Sequence, residues 1–143
     1  MELKSLKRLL KEYPYMTEKI QGIKKEIEGY KEQAAALREV DSIILDGMPK
    51  AGVLSDPTAR KAQKIVDDFD KRVEMLLDEI ELIINEQQRF TDMLRRLSHD
   101  EYAVIEARYF KGLSWDFVPG EVKMSRSICF DVHNEVLFRM LQN

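Results

Sequence analysis

An all-α fold is what this sequence predicts: a long antiparallel, coiled-coil-like helical hairpin followed by a three-helix helix-turn-helix unit. Three observations carry the prediction. Two long stretches keep apolar residues in a four–three alternation. A Gly/Pro-containing stretch, GMPKAGVLSDP, separates them. Three serines, Ser98, Ser114 and Ser125, then stand where short helices would start. The expected division is 1–97, a short N-terminal helix plus hairpin acting as an association or partner-binding stalk, and 98–143, the helix-turn-helix unit.

Composition agrees with order and helix. Of 143 residues, 44% are hydrophobic and 34% charged, with only 6 Gly and 4 Pro, too apolar a balance for a disordered chain. No apolar run approaches the roughly 20 residues that span a bilayer. The start, MELKSLKRLLKEY, lacks the unbroken apolar stretch of a signal peptide. A cytoplasmic protein with no membrane partner is expected. A single cysteine, Cys129, excludes an intrachain disulfide and a multi-cysteine metal site, and reads as a core residue. Neither a phosphate-binding glycine loop nor a nucleophile elbow is present, so no enzyme, metal or cofactor is expected.

The first seam runs Met16, Ile20, Ile23, Ile27, Tyr30, Ala34, Leu37, is interrupted by Asp41 and resumes at Ile44. The second runs Phe69, Val73, Leu76, Ile80, Ile83, Gln87, Phe90, Leu94, Leu97, with Gln87 its one polar member. Such spacing puts the apolar residues on one face of each helix. Gly47, Pro49 and Gly52 break the first helix. Asp56 can cap the second, and Pro57 suits its first position, which needs no donor. A loop this short favours antiparallel neighbours. Residues 16–46 span about 46 Å and residues 57–97 about 61 Å as helix, so the second overhangs by Gln87 to Leu97. Residues 2–13, set off by Pro14, supply a short helix to cover Phe90 and Leu94. Gly22 and Gly29, seven apart, each cost about 1 kcal/mol against Ala; they are either tolerated weak spots or the site where a second helix approaches in a homo-oligomer.

Ser98 with Glu101 forms a capping box, opening a helix that stops at Gly112. Ser114 is expected to cap a second short helix and Ser125 a third that runs to about Leu141. On the third, Cys129, Val132, Val136, Leu137 and Met140 share one face. Arg126, Ser127, Phe130, Asp131 and Asn134 lie off it, in the half of a recognition helix that meets base edges. Arg126 can bond guanine bidentately and Asn134 can read adenine. Ser127 and the helix start can hold a phosphate. The DNA-binding set is Lys123, Ser125, Arg126, Ser127, Phe130 and Asn134. Trp115 is expected in the core, and His133 to pack or cap locally.

These residues carry a resemblance. Leu97-Ser98 with Glu101, Tyr109 with Gly112-Leu113-Ser114-Trp115, Ser125-Arg126-Ser127, then His133 and Leu137 resemble region four of bacterial sigma factors. The GMPKAGVLSDPTA stretch is similar to the linker of small phage and prophage regulators that place a helical hairpin before this unit. The resemblance covers most of the chain. It implies a DNA-binding transcriptional regulator of phage or mobile-element genes that takes double-stranded DNA and touches RNA polymerase. Two positions depart from the family pattern. Pro119-Gly120 stands in the middle helix, which should be short, kinked or partly unwound. Asp131 stands where the family tends to carry a basic residue, and it repels phosphate.

From Ser98 onward the chain holds five Lys/Arg against seven Asp/Glu. One unit alone should therefore bind DNA weakly and salt-sensitively, and a second copy or partner would supply the rest. The alternatives are a structural or adaptor protein acting through the hairpin, and a DNA-packaging recognition subunit.

Overall fold

The computed structural model describes residues 1–47 and 56–143, and side chains outside 40–58. Among the described residues every regular element is helical. Helix α1 (Leu3–Glu12) passes through a 3-10 turn at Tyr13–Tyr15 into α2 (Met16–Gly47). Helix α3 spans Asp56–Arg95. Helix α4 (His99–Ile105) continues as a π-helical turn, Glu106–Phe110, before α5 (Val118–Val122) and α6 (Arg126–Gln142). Pro49, Gly52 and Ser55, the side chains of Asp41, Ile44, Asp56 and Pro57, and the loop predicted around them lie outside the described residues. No described helix is long and apolar enough to cross a membrane.

The helices sort into two compact units, Glu18–Ile83 and Met1–Thr17 with Ile84–Asn143. This differs from the division at residue 97. The short first helix and the end of α3 belong with the C-terminal helices.

In the unit Glu18–Ile83 the predicted seams meet. Ile20, Ile23 and Ile27 of α2 pack on Val73, Leu76 and Ile80 of α3, with Tyr30 and Ile83 alongside. Tyr30 lies against Phe69, ring centroids 5.5 Å apart, and Glu26 pairs with Arg72. Later residues of α2 meet earlier residues of α3, so the two run antiparallel. The second seam extends one step further than expected, to buried Val66. Gly22 and Gly29 have nothing within 4 Å of an added Cβ, so no close approach among the described residues requires them.

In the other unit, the overhang is covered as its length demands. Leu6 and Leu10 of α1 share a core with Phe90, Met93, Leu94, Ile105, Tyr109, Val136, Leu137 and Met140. The hydroxyl of Thr91 donates to the Gln87 carbonyl (2.8 Å) and so accepts from Tyr13 (2.8 Å). Gln87, the polar seam residue, donates to Thr17 (2.7 Å).

The cap of α4 follows the sequence. Ser98 Oγ accepts from the Glu101 amide while the Glu101 carboxylate accepts from the Ser98 amide. Ser125 Oγ accepts from the Ile128 amide and opens α6. Ser114 behaves otherwise. Its carbonyl, not its hydroxyl, receives the amides of Phe117 and Val118, and α5 starts only at Val118 with no side-chain cap. Pro119 explains the shift. It sits in the first turn of α5, where a missing donor costs nothing, so the helix is displaced and shortened to five residues rather than kinked.

Candidate nucleic-acid interface

All six predicted DNA-contacting residues fall on the turn before α6 and on its first half. Residues 123–125 separate α5 from α6, and the three helices α4, α5 and α6 contact one another pairwise. Lys123 ends α5 in the left-handed conformation, φ 58°, which a β-carbon disfavours by about 1–2 kcal/mol. Its side chain is exposed. Ser125 commits its hydroxyl to the cap of α6.

Helix α6 buries Cys129, His133, Val136, Leu137 and Met140, while Val132 is half-buried. At 100° per residue the opposite face carries Ser127, Asp131, Asn134 and Phe138, and all four are exposed. The acidic Asp131 thus stands between the two polar residues best placed to meet a groove.

Besides Ser125, three predicted DNA-contacting side chains are engaged within the protein. Arg126 is exposed but pairs with Asp116 (3.1 Å) and lies over the Phe130 ring, 5.6 Å from its centre. Exposed ion pairs contribute about 0–1 kcal/mol, so a guanine edge or phosphate can replace Asp116 at little cost. Phe130 is half-buried against Trp115, centroids 4.5 Å apart, and serves packing rather than an outward role. Asn134 Oδ1 meets His133 Nδ1 at 3.0 Å. An amide oxygen only accepts, so Nδ1 carries the proton and Nε2 accepts from Tyr109 Oη (2.7 Å).

This Tyr109–His133–Asn134 chain sets the electrostatics below α6. Burial pushes His133 below its ordinary value; the Asn134 hydrogen bond opposes that shift, and Lys7 and Arg108 add to it. Burial drives Tyr109 up to about 12, which the Arg108 charge partly offsets. His133 is therefore held neutral as a structural member, matching the expectation of local packing. Trp115 packs partly buried on the cluster Ala107, Val118 and Cys129. Cys129 is fully buried, and burial raises its thiol above the ordinary value.

Charge is largely neutralised locally. Lys111 pairs with Glu106 and Glu121, Arg139 with Glu101, and Arg126 with Asp116. Arg108 donates to the Leu113 carbonyl (2.9 Å) and covers Trp115. Adding residues 1–17 and 84–97 changes the balance. The whole unit holds twelve Lys/Arg against eleven Asp/Glu.

Sequence reasoning missed Asp116 as the partner of Arg126 and Tyr109 as the partner of His133. Their separations, 10 and 24 residues, leave no local pattern. It also missed exposed Phe117 (68%), just before α5, and exposed Ile128 (50%), in the first turn of α6. No family model, curated protein or solved structure matches the chain.

Proposed function

We propose that the chain is a DNA-binding regulator of transcription of phage or mobile-element genes, with the start of α6 in the major groove. On this reading Arg126 and Asn134 read base edges, Ser127 and Lys123 meet phosphate, and Ser125 positions the helix. Phe130 supports Arg126 from below. The observation that carries the reading is the capped, solvent-exposed first half of α6, presented by a trihelical packing whose turn spans residues 123–125. The resemblance through Gly112-Leu113-Ser114-Trp115 and Ser125-Arg126-Ser127 supports it and suggests RNA polymerase as a further partner. The hairpin serves self-association or binding to that polymerase.

Fluorescence polarisation of the full chain on phage late-promoter duplexes, at about 50 and 200 mM salt, tests this reading. Salt-dependent binding at micromolar protein is expected, with Arg126→Ala losing about 1–3 kcal/mol and relaxing discrimination at one base pair. Absence of binding at both salt concentrations contradicts the reading.

Exposed Phe117 before α5 and exposed Ile128 on α6 favour one second reading, an adaptor that uses these apolar side chains for protein. In that case, substituting both with Ser would abolish partner capture and leave DNA binding unchanged. The DNA-packaging recognition subunit is a variant of the first reading and shares its interface.

A further inference from the structure

We propose that α1 is a second site of DNA binding, with Lys4, Lys7, Arg8 and Lys11 clamping the phosphate backbone of the duplex that α6 reads. The inference rests on the DNA-binding reading and adds to it a sequence-independent site outside the helix-turn-helix.

Spacing comes first. The four cations stand at i, i+3, i+4 and i+7, which gathers them within an arc of about 100° on a helix. They line one shallow groove together with Ser5. The opposite face holds Leu6 and Leu10, 1% and 0% exposed, locked into the core with Val136, Leu137 and Met140 of α6. The cations therefore stay on the surface of the unit that carries the reading helix. Lys4, Arg8 and Lys11 are exposed and Lys7 half-buried.

Pairing comes second. Among the described residues only Arg8 of the four has an ion-pair partner, Glu12 at 4.0 Å, with both side chains more than half exposed. This contrasts with three of the five C-terminal cations, Lys111, Arg126 and Arg139, each of which meets a carboxylate. A positive charge in the last turn favours the helix dipole, but that accounts for Lys11 alone. The three other cations on the same arc are open to an anion from outside.

The occupant follows from charge and burial. Insertion into a lipid surface would need the apolar face of α1, and that face is already buried. The helix-turn-helix segment is acidic by two charges and lacks the basic surplus that phosphate binding uses. The α1 strip offsets that deficit within the same unit. Lys7 also lies close enough to α6 for its charge to reach His133, next to Asn134.

The test compares wild type, Lys4→Gln/Lys7→Gln/Arg8→Gln/Lys11→Gln and the charge-conserving Lys4→Arg/Lys7→Arg/Lys11→Arg. Each full chain is titrated onto a promoter duplex and a random-sequence duplex over a salt series, and its fold is checked by Trp115 fluorescence. In the glutamine variant the slope of log K against log salt should fall by up to about 3.6, at about 0.9 for each of the four phosphates no longer neutralised. The fall should be the same on both duplexes, so that discrimination is kept. Affinity at about 0.1 M salt should drop at least roughly tenfold, and the arginine variant should match wild type. If wild type binds and the glutamine variant keeps its slope, the α1 clamp is wrong while the α6 reading stands. A wild type that binds neither duplex removes both.

Discussion

The two compact units bury their apolar residues by different means. In Glu18–Ile83, six aliphatic side chains meet along a single seam between two helices, and each keeps 4–9% of its surface. In the other unit, ten residues from α1, α3, α4, the π-turn and α6 close on one another and keep 0–6%. A seam is covered from one side only, whereas a core fed by five elements is covered all round. The difference shows where the chain can hold a side chain in fixed geometry. The candidate interface lies on the enclosed unit, as base recognition requires of a reading helix.

The largest effect that separates the two should come from Phe90, which is fully buried. Phe90→Ala should cost about 3–5 kcal/mol. The single tryptophan, Trp115, lies in the same unit and reports it by fluorescence in urea unfolding. Ile23→Ala, in the seam, should cost about 2 kcal/mol, the low end for such a truncation, because the open side lets neighbours and water adjust. It should move the helical circular-dichroism transition more than the Trp115 transition. Equal shifts in both probes would mean that the units do not differ in this way.

Acid should act on the enclosed unit first. His133 lies there, and it titrates below its ordinary value of 6.5 because it is buried. A histidine held neutral in the fold contributes stability that is present above pH 6.5. That contribution is lost as pH falls through the depressed value, since the unfolded state then binds the extra proton. The Trp115 transition should weaken over that window in wild type and stay flat in His133→Gln. The smallest stability effect should be a gain. Lys123→Gly removes the left-handed strain at φ 58° and should stabilise the same unit by up to about 1 kcal/mol, measured in the same urea experiment.

Legibility in the sequence followed the range of the interaction. The Ser98–Glu101 box and the Ser125 cap each span three residues, and the four–three seam is a repeated local pattern, so all three are readable from neighbouring positions. The covering of Phe90 and Leu94 by α1 was legible because helix lengths left an overhang. Ser114 misled because the cap signal and Pro119 compete for the same helix start, and a proline in the first turn fixes that start more firmly than a hydroxyl does. Spacing places Arg126 and Asn134 off the buried face of the last helix, and both are exposed on α6. Their partners, Asp116 and His133, follow from how the α4–α5 connection and the buried face of α6 come together. The grouping of α1 with the C-terminal helices, and with it the change from an acidic to a slightly basic unit, required the three-dimensional packing.

The central claim is that the exposed face of α6 meets duplex DNA, and Asp131 tests it most directly. It stands between Ser127 and Asn134 on that face, and its carboxylate opposes a phosphate. Loss of binding can follow from many defects, whereas a gain at this position requires the face to be the interface. Polarisation titration of Asp131→Asn against wild type on a late-promoter duplex at about 0.1 M salt should show severalfold tighter binding, with the advantage shrinking as salt rises. Unchanged affinity in a variant whose Trp115 transition matches wild type would contradict the claim.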